Sequence, residues 1–246
     1  TRLQGGKDSA SSRYIHTCLE KIVQDLYPEA DLPVLKYLDD DGKSIEPDYY
    51  IPTLPIVLIN GAEGIGTGYS CSVPCYNPKD IIYNMKQVID NKEQKEMVPW
   101  YQNFRGTIEK TSDGHFLSTG IWKQINKHVI EVRELPIGRW TQDYKEFLDT
   151  LIDKKIESYE NHCTESIVNF RVRMLSDKKF DPKDFKLTTN INTTNMHLFN
   201  HKNTISKYQS PLEIIKEFTH LRLKFYKKRK KHLLDVLENQ LKILQN

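Results

Sequence analysis

Apolar residues recur at helical spacing in three separate parts of the first two thirds of the chain. The first predicts a short amphipathic helix over residues 15–26, with Tyr14 in its first turn. A second helix begins after Asn77, where Pro78 takes the first helical position, and a third is expected over residues 141–156. In each helix the apolar residues share one face, which is therefore expected to pack against the rest of the protein.

The last part of the chain predicts the longest helix. Residues 210–213 form a capping box with proline at the first helical position, and apolar residues then recur at steps of four and three. About 35 residues at 1.5 Å each would reach about 50 Å, so we expect one arm of a coiled coil. A basic run at residues 227–232 could follow a DNA backbone, although such runs are usually exposed helix surface.

Alternating apolar and polar positions predict a small sheet in the middle of the chain. Residues 105–110 and 115–119 flank an Asp-Gly turn, and residues 129–135 give a third strand. Residues 168–174 also alternate and place two arginines on the polar side. This basic edge could face phosphates, and a solvated strand face is equally expected.

An apolar, β-branched stretch over residues 51–59 predicts a strand that runs into a glycine-rich loop. The loop lacks the residues of a nucleotide site, because no lysine follows Gly66 and Tyr69 stands where a dinucleotide fingerprint has its third glycine. Held between Gly64 and Gly66, Ile65 could protrude as a wedge between base pairs. The alternative is a tight turn with a buried isoleucine, which the residues alone favour.

Two groups of residues could suggest a metal ion, and neither has the required spacing. The acidic stretch at residues 39–48 lacks the calcium-loop pattern, so a solvated turn is favoured. The 4 cysteines have no partner set with zinc spacing. We expect Cys71 and Cys75 to be reduced and structural, as in a nuclear or cytosolic protein.

The composition is that of a globular protein large enough to bury a core. Of the 246 residues 38% are hydrophobic and 28% charged, and no apolar run approaches the roughly 20 residues that a membrane span needs. A net charge of +3 does not by itself indicate a nucleic-acid partner. Only local clusters of basic residues could indicate one. Because the chain begins at Thr1 without an initiator methionine or a signal region, we expect a piece of a longer protein.

The most suggestive chemistry lies near the start of the chain, where Tyr14 directly follows Arg13 in a basic, small-residue segment. A phenol is mostly protonated near neutral pH, so a nucleophilic tyrosine needs a cation or base nearby. Arg13, Lys7 and Arg2 could supply that field, and a guanidinium fork also suits a phosphate that gains charge. By composition alone, an Arg-Tyr pair at this position is more often a simple helix start.

Two longer stretches resemble type IIA DNA topoisomerases of the eukaryotic kind. Residues 1–17 are similar to the segment around that family's active-site tyrosine, with departures at Ser12 and His16 that leave the Arg-Tyr pair intact. Residues 60–68 are similar to the family's most recognisable motif. Shorter likenesses at residues 135–136, 140–141, 185–189 and 195–196 extend the resemblance to essentially the whole chain.

The resemblance implies an α+β multidomain fold. Residues 1–53 would be the C-terminal part of a winged-helix domain with the active-site tyrosine, residues 54–206 an α/β tower (shoulder) domain, and residues 207–246 the first coiled-coil arm helix.

The resemblance also implies roles for individual residues. Tyr14 would form a 5′-phosphotyrosyl link and Arg13 would stabilise the charged phosphorus centre. Ile65 would intercalate into double-stranded DNA and bend it. DNA contacts are also expected at Lys7, Gly64 and Gly66.

Cofactors and partners follow from the same resemblance. Mg²⁺ and ATP are expected at Toprim and ATPase domains of the same protein, outside this segment, and the enzyme would act as a homodimer. The segment alone should be inactive. We expect a location in the nucleus, or in the cytoplasm of an infected cell if the source is a cytoplasmic DNA virus. The alternative function is a non-catalytic scaffold that bends DNA or dimerises.

Overall fold

The computed structural model describes residues 1–175 and 180–245, which form two compact units. One unit comprises Thr1–His16 and Val98–Asn192, and the other comprises Thr17–Met97 and Thr193–Asn246. Each unit contains helices and strands, which confirms the predicted α+β class. No helix in the described ranges has both the length and the apolar content of a membrane span.

The described helices and strands are as follows. The α-helices are α1 (Ile22–Leu26), α2 (Ile56–Asn60), α3 (Pro78–Ile89), α4 (Thr141–Asp149) and α5 (Pro211–Gln245), and Ser12–Tyr14 and Glu29–Val34 are 3₁₀-helical. The strands are β1 (Tyr37–Asp40), β2 (Lys43–Pro47), β3 (Ala62–Gly66), β4 (Tyr69–Val73), β5 (Thr107–Ser112), β6 (His115–Thr119), β7 (Ile121–Asn126), β8 (Val129–Glu134), β9 (Ile156–Asn161), β10 (Phe170–Met174), β11 (Thr188–Asn192), β12 (Met196–Phe199) and β13 (Ile205–Tyr208).

The first unit is built from two antiparallel sheets and α4. Four strands pair in the order β7-β8-β10-β9, and three pair in the order β11-β6-β5. Because side chains alternate across a strand, β10 buries every second residue, as its sequence predicted. The core joins the buried faces of these strands to α4 through Ile130, Val132, Leu135, Tyr144, Leu148, Phe170, Val172 and Phe185.

Three expectations for this unit were wrong in detail. The strands predicted for one small sheet are divided between two, since β5 and β6 pair with each other while β8 pairs with β7 and β10. Helix α4 ends at Asp149 rather than at residue 156, because a turn with Asp153 at φ 60° follows and Ile156 begins β9. Strand β7 was not predicted. It lies at the edge of its sheet with four exposed residues in succession, so it has no alternating pattern to recognise.

The second unit packs α2, α3 and the first half of α5 around one core. Asn77 caps α3 by accepting a hydrogen bond from the Lys79 amide at 3.0 Å, so the predicted helix start is confirmed. At the predicted capping box of α5, Ser210 Oγ accepts from the Glu213 amide at 3.4 Å. Glu213 Oε2 accepts at 2.7 Å from the Gln209 amide, one residue before the cap. The core residues are Leu58, Val73, Tyr76, Ile81, Met85, Met97, Met196, Ile214 and Ile215.

Three stretches of this unit differ from the sequence expectations. Of residues 15–26 only α1 is α-helical, because the apolar side chains of residues 15–22 are exposed and a short helix is unstable without packing. Residues 51–59 form no strand. Pro52 and Pro55 lack the amides that a sheet needs, and α2 begins directly after Pro55. The glycine-rich segment is not a loop, since it forms the hairpin β3–β4.

The acidic stretch is a hairpin with a solvated turn, as favoured from its sequence. Strands β1 and β2 are joined through Asp41 and Gly42, whose φ angles are 50° and 78°. The Gly42 amide donates to Asp39 Oδ1 at 3.0 Å. Asp39 and Asp41 therefore shape the turn itself, since Asp39 accepts a hydrogen bond from its backbone and Asp41 adopts a positive φ.

Candidate functional site

Tyr14 ends the 3₁₀ turn Ser12–Tyr14, and its side chain is 76% exposed. Its amide donates to the Ser11 carbonyl at 2.9 Å, which fixes the backbone of the turn. Among the described residues no hydrogen bond reaches its hydroxyl. The guanidinium carbon of Arg13 lies 5.9 Å from the centre of the Tyr14 ring. The pair therefore presents a nucleophile-type oxygen and a cation together to solvent.

The segment that leads to Tyr14 consists of successive tight turns. Gly5 and Gly6 have φ angles of 63° and 88°, which side chains rarely adopt. The Lys7 amide donates to the Gln4 carbonyl at 3.3 Å, and the Lys7 side chain is exposed. Lys7 and Arg13 thus lie on one short exposed segment with the tyrosine, as the sequence analysis expected.

The Arg2 guanidinium is hydrogen-bonded inside its unit. Its guanidinium donates to Glu134 Oε1 at 3.1 Å and to the Arg139 carbonyl at 2.6 Å. A third hydrogen bond joins it to the Leu135 carbonyl at 3.2 Å. These three hydrogen bonds hold the guanidinium against Glu134 and the neighbouring main chain.

Ile65 lies at the end of the β3–β4 hairpin and is 96% exposed, so the interpretation as a buried isoleucine is wrong. The two glycines beside it differ in their surroundings. A Cβ on Gly64 would meet no atom within 4 Å, whereas a Cβ on Gly66 would lie 2.6 Å from Cζ of Tyr69. Gly66 therefore makes room for the Tyr69 ring, while Gly64 leaves Ile65 without a neighbouring side chain.

Strand β4 of this hairpin is held by residues that the sequence analysis did not single out as functional. Asn195 accepts a hydrogen bond from the Ser72 amide at 2.8 Å through its carbonyl and donates to Ser70 Oγ at 2.7 Å through its side chain. Its side-chain oxygen lies 2.9 Å from Nδ1 of His197. Only a family likeness around Asn195 pointed to this position. These contacts hold the hairpin that carries Ile65 in place.

The Mg²⁺ ion that the resemblance implies is expected outside this segment. No group of three or more His, Cys, Asp or Glu side chains in the described ranges is arranged to hold a metal ion. We therefore assign no chemical step in this segment to a metal. All four cysteines lie in the described ranges and are free, and burial raises the pKa of the Cys75 thiol, which fits the expected structural role.

The basic edge of β10 faces acidic neighbours. In the antiparallel register Arg171 lies opposite Glu131 of β8 and Glu160 of β9. The adjacent arginines, after the hydrogen bond from His162, help to lower the pKa of Glu160. Cross-strand pairs of opposite charge are favourable, so this edge is better described as a solvated strand face than as a phosphate site.

Comparisons with known proteins place the chain in one family. The model of the DNA gyrase/topoisomerase IV family matches residues 1–246. The DNA topoisomerase 2 of Pisum sativum is 42% identical over 256 residues, which cover 98% of this chain and 17% of the relative. The mitochondrial DNA topoisomerase 2 of Dictyostelium discoideum is 44% identical over 258 residues, or 99% of this chain and 20% of the relative.

A solved structure agrees with both relatives. The DNA-binding, cleavage and re-ligation domain of Plasmodium falciparum topoisomerase II superposes with a TM-score of 0.89 at 42% identity, over 97% of this chain and 34% of that one. The chain thus spans about a fifth or less of the curated relatives it matches.

Proposed function

The chain belongs to the DNA gyrase/topoisomerase IV family of type II DNA topoisomerases, and we propose that it carries the tyrosine with which such an enzyme cuts DNA. The observation behind this proposal is the exposed Tyr14 beside the Arg13 guanidinium. The enzyme would open one duplex transiently and pass another through it, changing supercoiling and separating linked circles. ATP would drive this cycle.

The chemistry assigned to this segment is a transesterification. The Tyr14 oxygen attacks the DNA phosphorus, the bond to the 3′ oxygen breaks, and the DNA 5′ phosphate becomes esterified to the tyrosine. The phenol proton leaves to solvent or a neighbouring base, and the 3′ oxygen takes up a proton as it departs. Arg13 would donate hydrogen bonds to the non-bridging oxygens as they gain charge. Attack by the 3′ hydroxyl reverses the reaction and reseals the strand.

Ile65 is proposed to bend the duplex that Tyr14 cuts. An exposed apolar side chain flanked by glycines can enter between base pairs, unstack them and kink the helix. Gly64 and Gly66 would let the DNA approach the hairpin backbone, and Lys7 would contact phosphates.

The remaining assignments concern the longer protein. We propose residues 1–53 as part of a winged-helix domain, residues 54–206 as the tower, and residues 207–246 as the first coiled-coil arm. Apolar residues at the far end of α5, among them Leu237, Leu241 and Leu244, are exposed and suit a further helix. Mg²⁺ and ATP would bind to Toprim and ATPase domains, and the enzyme would act on double-stranded DNA as a homodimer.

We propose a nuclear location. The Pisum sativum relative comes from a cellular eukaryote, and it lends no support to the cytoplasm of an infected cell.

The test is covalent capture of the broken strand. Full-length enzyme is mixed with Mg²⁺ and plasmid, denatured during turnover, and assayed for protein attached to DNA 5′ ends. Tyr14→Phe should abolish the adduct, while Tyr83→Phe, which alters another exposed tyrosine, should leave it intact. An adduct that survives Tyr14→Phe would rule out the nucleophile. If the protein bends DNA but neither the parent enzyme nor any variant forms an adduct, the alternative function, a non-catalytic scaffold that bends DNA, is correct.

A further inference from the structure

Arg2 joins the exposed residues 6–14, here called the tyrosine segment, to the interior of its unit. Its guanidinium forms an ion pair with the buried carboxylate of Glu134 at 3.1 Å, and both terminal nitrogens donate to main-chain carbonyls at Arg139 and Leu135. Arginine suits this position because its rigid fork can satisfy a carboxylate and carbonyls together. The side chain is therefore held in one orientation by three acceptors.

The main chain beside Arg2 completes the start of α4. The first amides of a helix have no partner inside it, and Trp140 at the cap position provides no side-chain acceptor. The Arg2 carbonyl accepts from the Thr141 amide at 3.4 Å and from its hydroxyl at 3.2 Å. The Leu3 carbonyl accepts from the Gln142 amide at 2.9 Å. The segment thus supplies the cap that α4 lacks.

Trp140 forms the third part of this attachment. The Arg2 guanidinium lies 5.6 Å from the centre of the Trp140 ring. Gly5 packs so closely on the same ring that a Cβ would lie 2.0 Å from it, and its φ of 63° also disfavours a side chain. Residues 2–5 therefore form a fixed attachment, which we call the Arg2 anchor.

Beyond the Arg2 anchor, the chain is exposed throughout residues 6–14. Its backbone hydrogen bonds there are local, from Lys7 to Gln4, from Ser9 to Gly6 and from Tyr14 to Ser11. Such turns hold the shape of the segment but do not fix it to the unit. On the N-terminal side of Tyr14, the position of the residue is therefore set by the Arg2 anchor.

Resting on the proposed cleavage role of Tyr14, we propose that Arg2 is a positioning residue for DNA cleavage, which holds the tyrosine segment on Glu134 and on the start of α4. Arg2 acts without contacting the phosphate. Loss of the anchor should leave DNA binding intact and slow the chemical step, because attack requires the oxygen to be aligned with phosphorus.

The test compares Arg2→Ala with Arg105→Ala in the full-length enzyme. Arg105 pairs with the other oxygen of Glu134 at 3.4 Å but lies outside the tyrosine segment. Because Arg105 remains, Arg2→Ala does not leave Glu134 as an isolated buried charge. At saturating plasmid, Arg2→Ala should slow single-turnover adduct formation by about ten- to a hundredfold at unchanged DNA affinity. Arg105→Ala should retain the parent rate, and Arg2→Lys, which keeps the charge without the fork, should fall between them.

Amide hydrogen exchange gives a second readout. The amides of Gly5, Lys7 and Ser9 should exchange faster in Arg2→Ala and at the parent rate in Arg105→Ala. If Arg2→Ala does not fold, Gly5→Ala probes the same anchor through its clash with Trp140 and should show the same slowed cleavage. A parent cleavage rate in Arg2→Ala or Gly5→Ala, or equal slowing by Arg105→Ala, would overturn the positioning role. Those results leave the nucleophile standing as long as Tyr14→Phe forms no adduct.

Discussion

The Arg222 guanidinium on α5 lies 2.6 Å from the carboxylate of Asp31, and both side chains are buried. Arg222 also donates to the Ile51 carbonyl at 3.2 Å, and Arg229 contacts the second Asp31 oxygen at 3.2 Å. The Tyr226 ring lies against both guanidiniums, at 4.1 Å and 4.8 Å. One buried carboxylate thus joins the first half of the long helix to the 3₁₀ segment Glu29–Val34.

Arg222→Met is expected to lower the free energy of unfolding by about 3 kcal/mol. The substitution keeps an unbranched side chain but removes the guanidinium, so Asp31 stays buried with Arg229 as its remaining partner. Breaking a buried ion pair has costs of this size. Denaturant unfolding measures the change. Lys224→Met, at an exposed position on the same helix, is the control and should change little. Equal effects of the two substitutions would contradict the structural role of the pair.

The fold was predictable where its signals are local. Helices α3 and α5 begin at capping residues that can be recognised within four positions of the sequence. In β10, buried and exposed residues alternate. The Asp31–Arg222 pair had no such signal, because the two residues are far apart in sequence and each is of a type that is usually exposed. The strand predicted over residues 51–59 does not form, because Pro52 and Pro55 lack amide donors despite the apolar content of that stretch.

The candidate site was predictable mainly through resemblance. The residues alone favoured a buried Ile65, whose side chain is exposed, and a simple helix start at Tyr14, with which the 3₁₀ turn Ser12–Tyr14 is consistent. Local pattern cannot show that Asn195 supports the Ile65 hairpin or that Glu134 holds Arg2, since these contacts join distant parts of the chain. The resemblance itself is confirmed over the whole chain.

Tyr144→Phe is expected to raise the free energy of unfolding by about 1 kcal/mol. The Tyr144 side chain is fully buried, and no residue in the described ranges forms a hydrogen bond with its hydroxyl. An unsatisfied buried hydroxyl is unfavourable, so its removal should be stabilising, while the ring contact with Phe170 at 5.3 Å is kept. Calorimetric unfolding checks this, and a lower melting temperature would show that the hydroxyl has a partner in solution.

Alkaline unfolding should depend on Tyr159. Burial, reinforced by a 2.5 Å hydrogen bond to the Asp149 carboxylate, raises the pKa of Tyr159 to about 12 from 10.0. The unfolded chain therefore loses this proton first as the pH rises, and the stability that the residue contributes is lost between pH 10 and pH 12. Tyr159→Phe should flatten that part of the stability curve, as measured by urea unfolding at stepwise pH. An unchanged slope would contradict the raised pKa.

Ile65→Ala should reduce DNA bending without weakening the hairpin. The side chain makes almost no contact within the protein, so its loss should leave thermal stability unchanged, while a wedge without bulk cannot hold base pairs apart. End-to-end FRET on a labelled duplex measures the bend. Ile125→Ala, at another exposed isoleucine, serves as the control. A parent-like bend in Ile65→Ala would eliminate the wedge.

The two glycines that flank Ile65 should respond differently to alanine. Gly66→Ala places a Cβ 2.6 Å from the Tyr69 ring, which must swing away from its place 6.5 Å from the His197 ring. We expect this to destabilise the hairpin by about 1 kcal/mol, whereas Gly64→Ala enters open space and should cost less.

A double-mutant cycle isolates the cause of that difference. In a Tyr69→Ala background the ring is gone, so Gly66→Ala should no longer be destabilising, while the effect of Gly64→Ala should be the same in both backgrounds. Hydrogen exchange of the β3–β4 amides reports the stability of the hairpin directly. If Gly66→Ala remains equally harmful without Tyr69, the glycine is required by its backbone or by an external partner rather than by the ring. If the Gly66→Ala effect disappears in that background, the glycine is required because it makes room for the Tyr69 ring in the hairpin that carries Ile65.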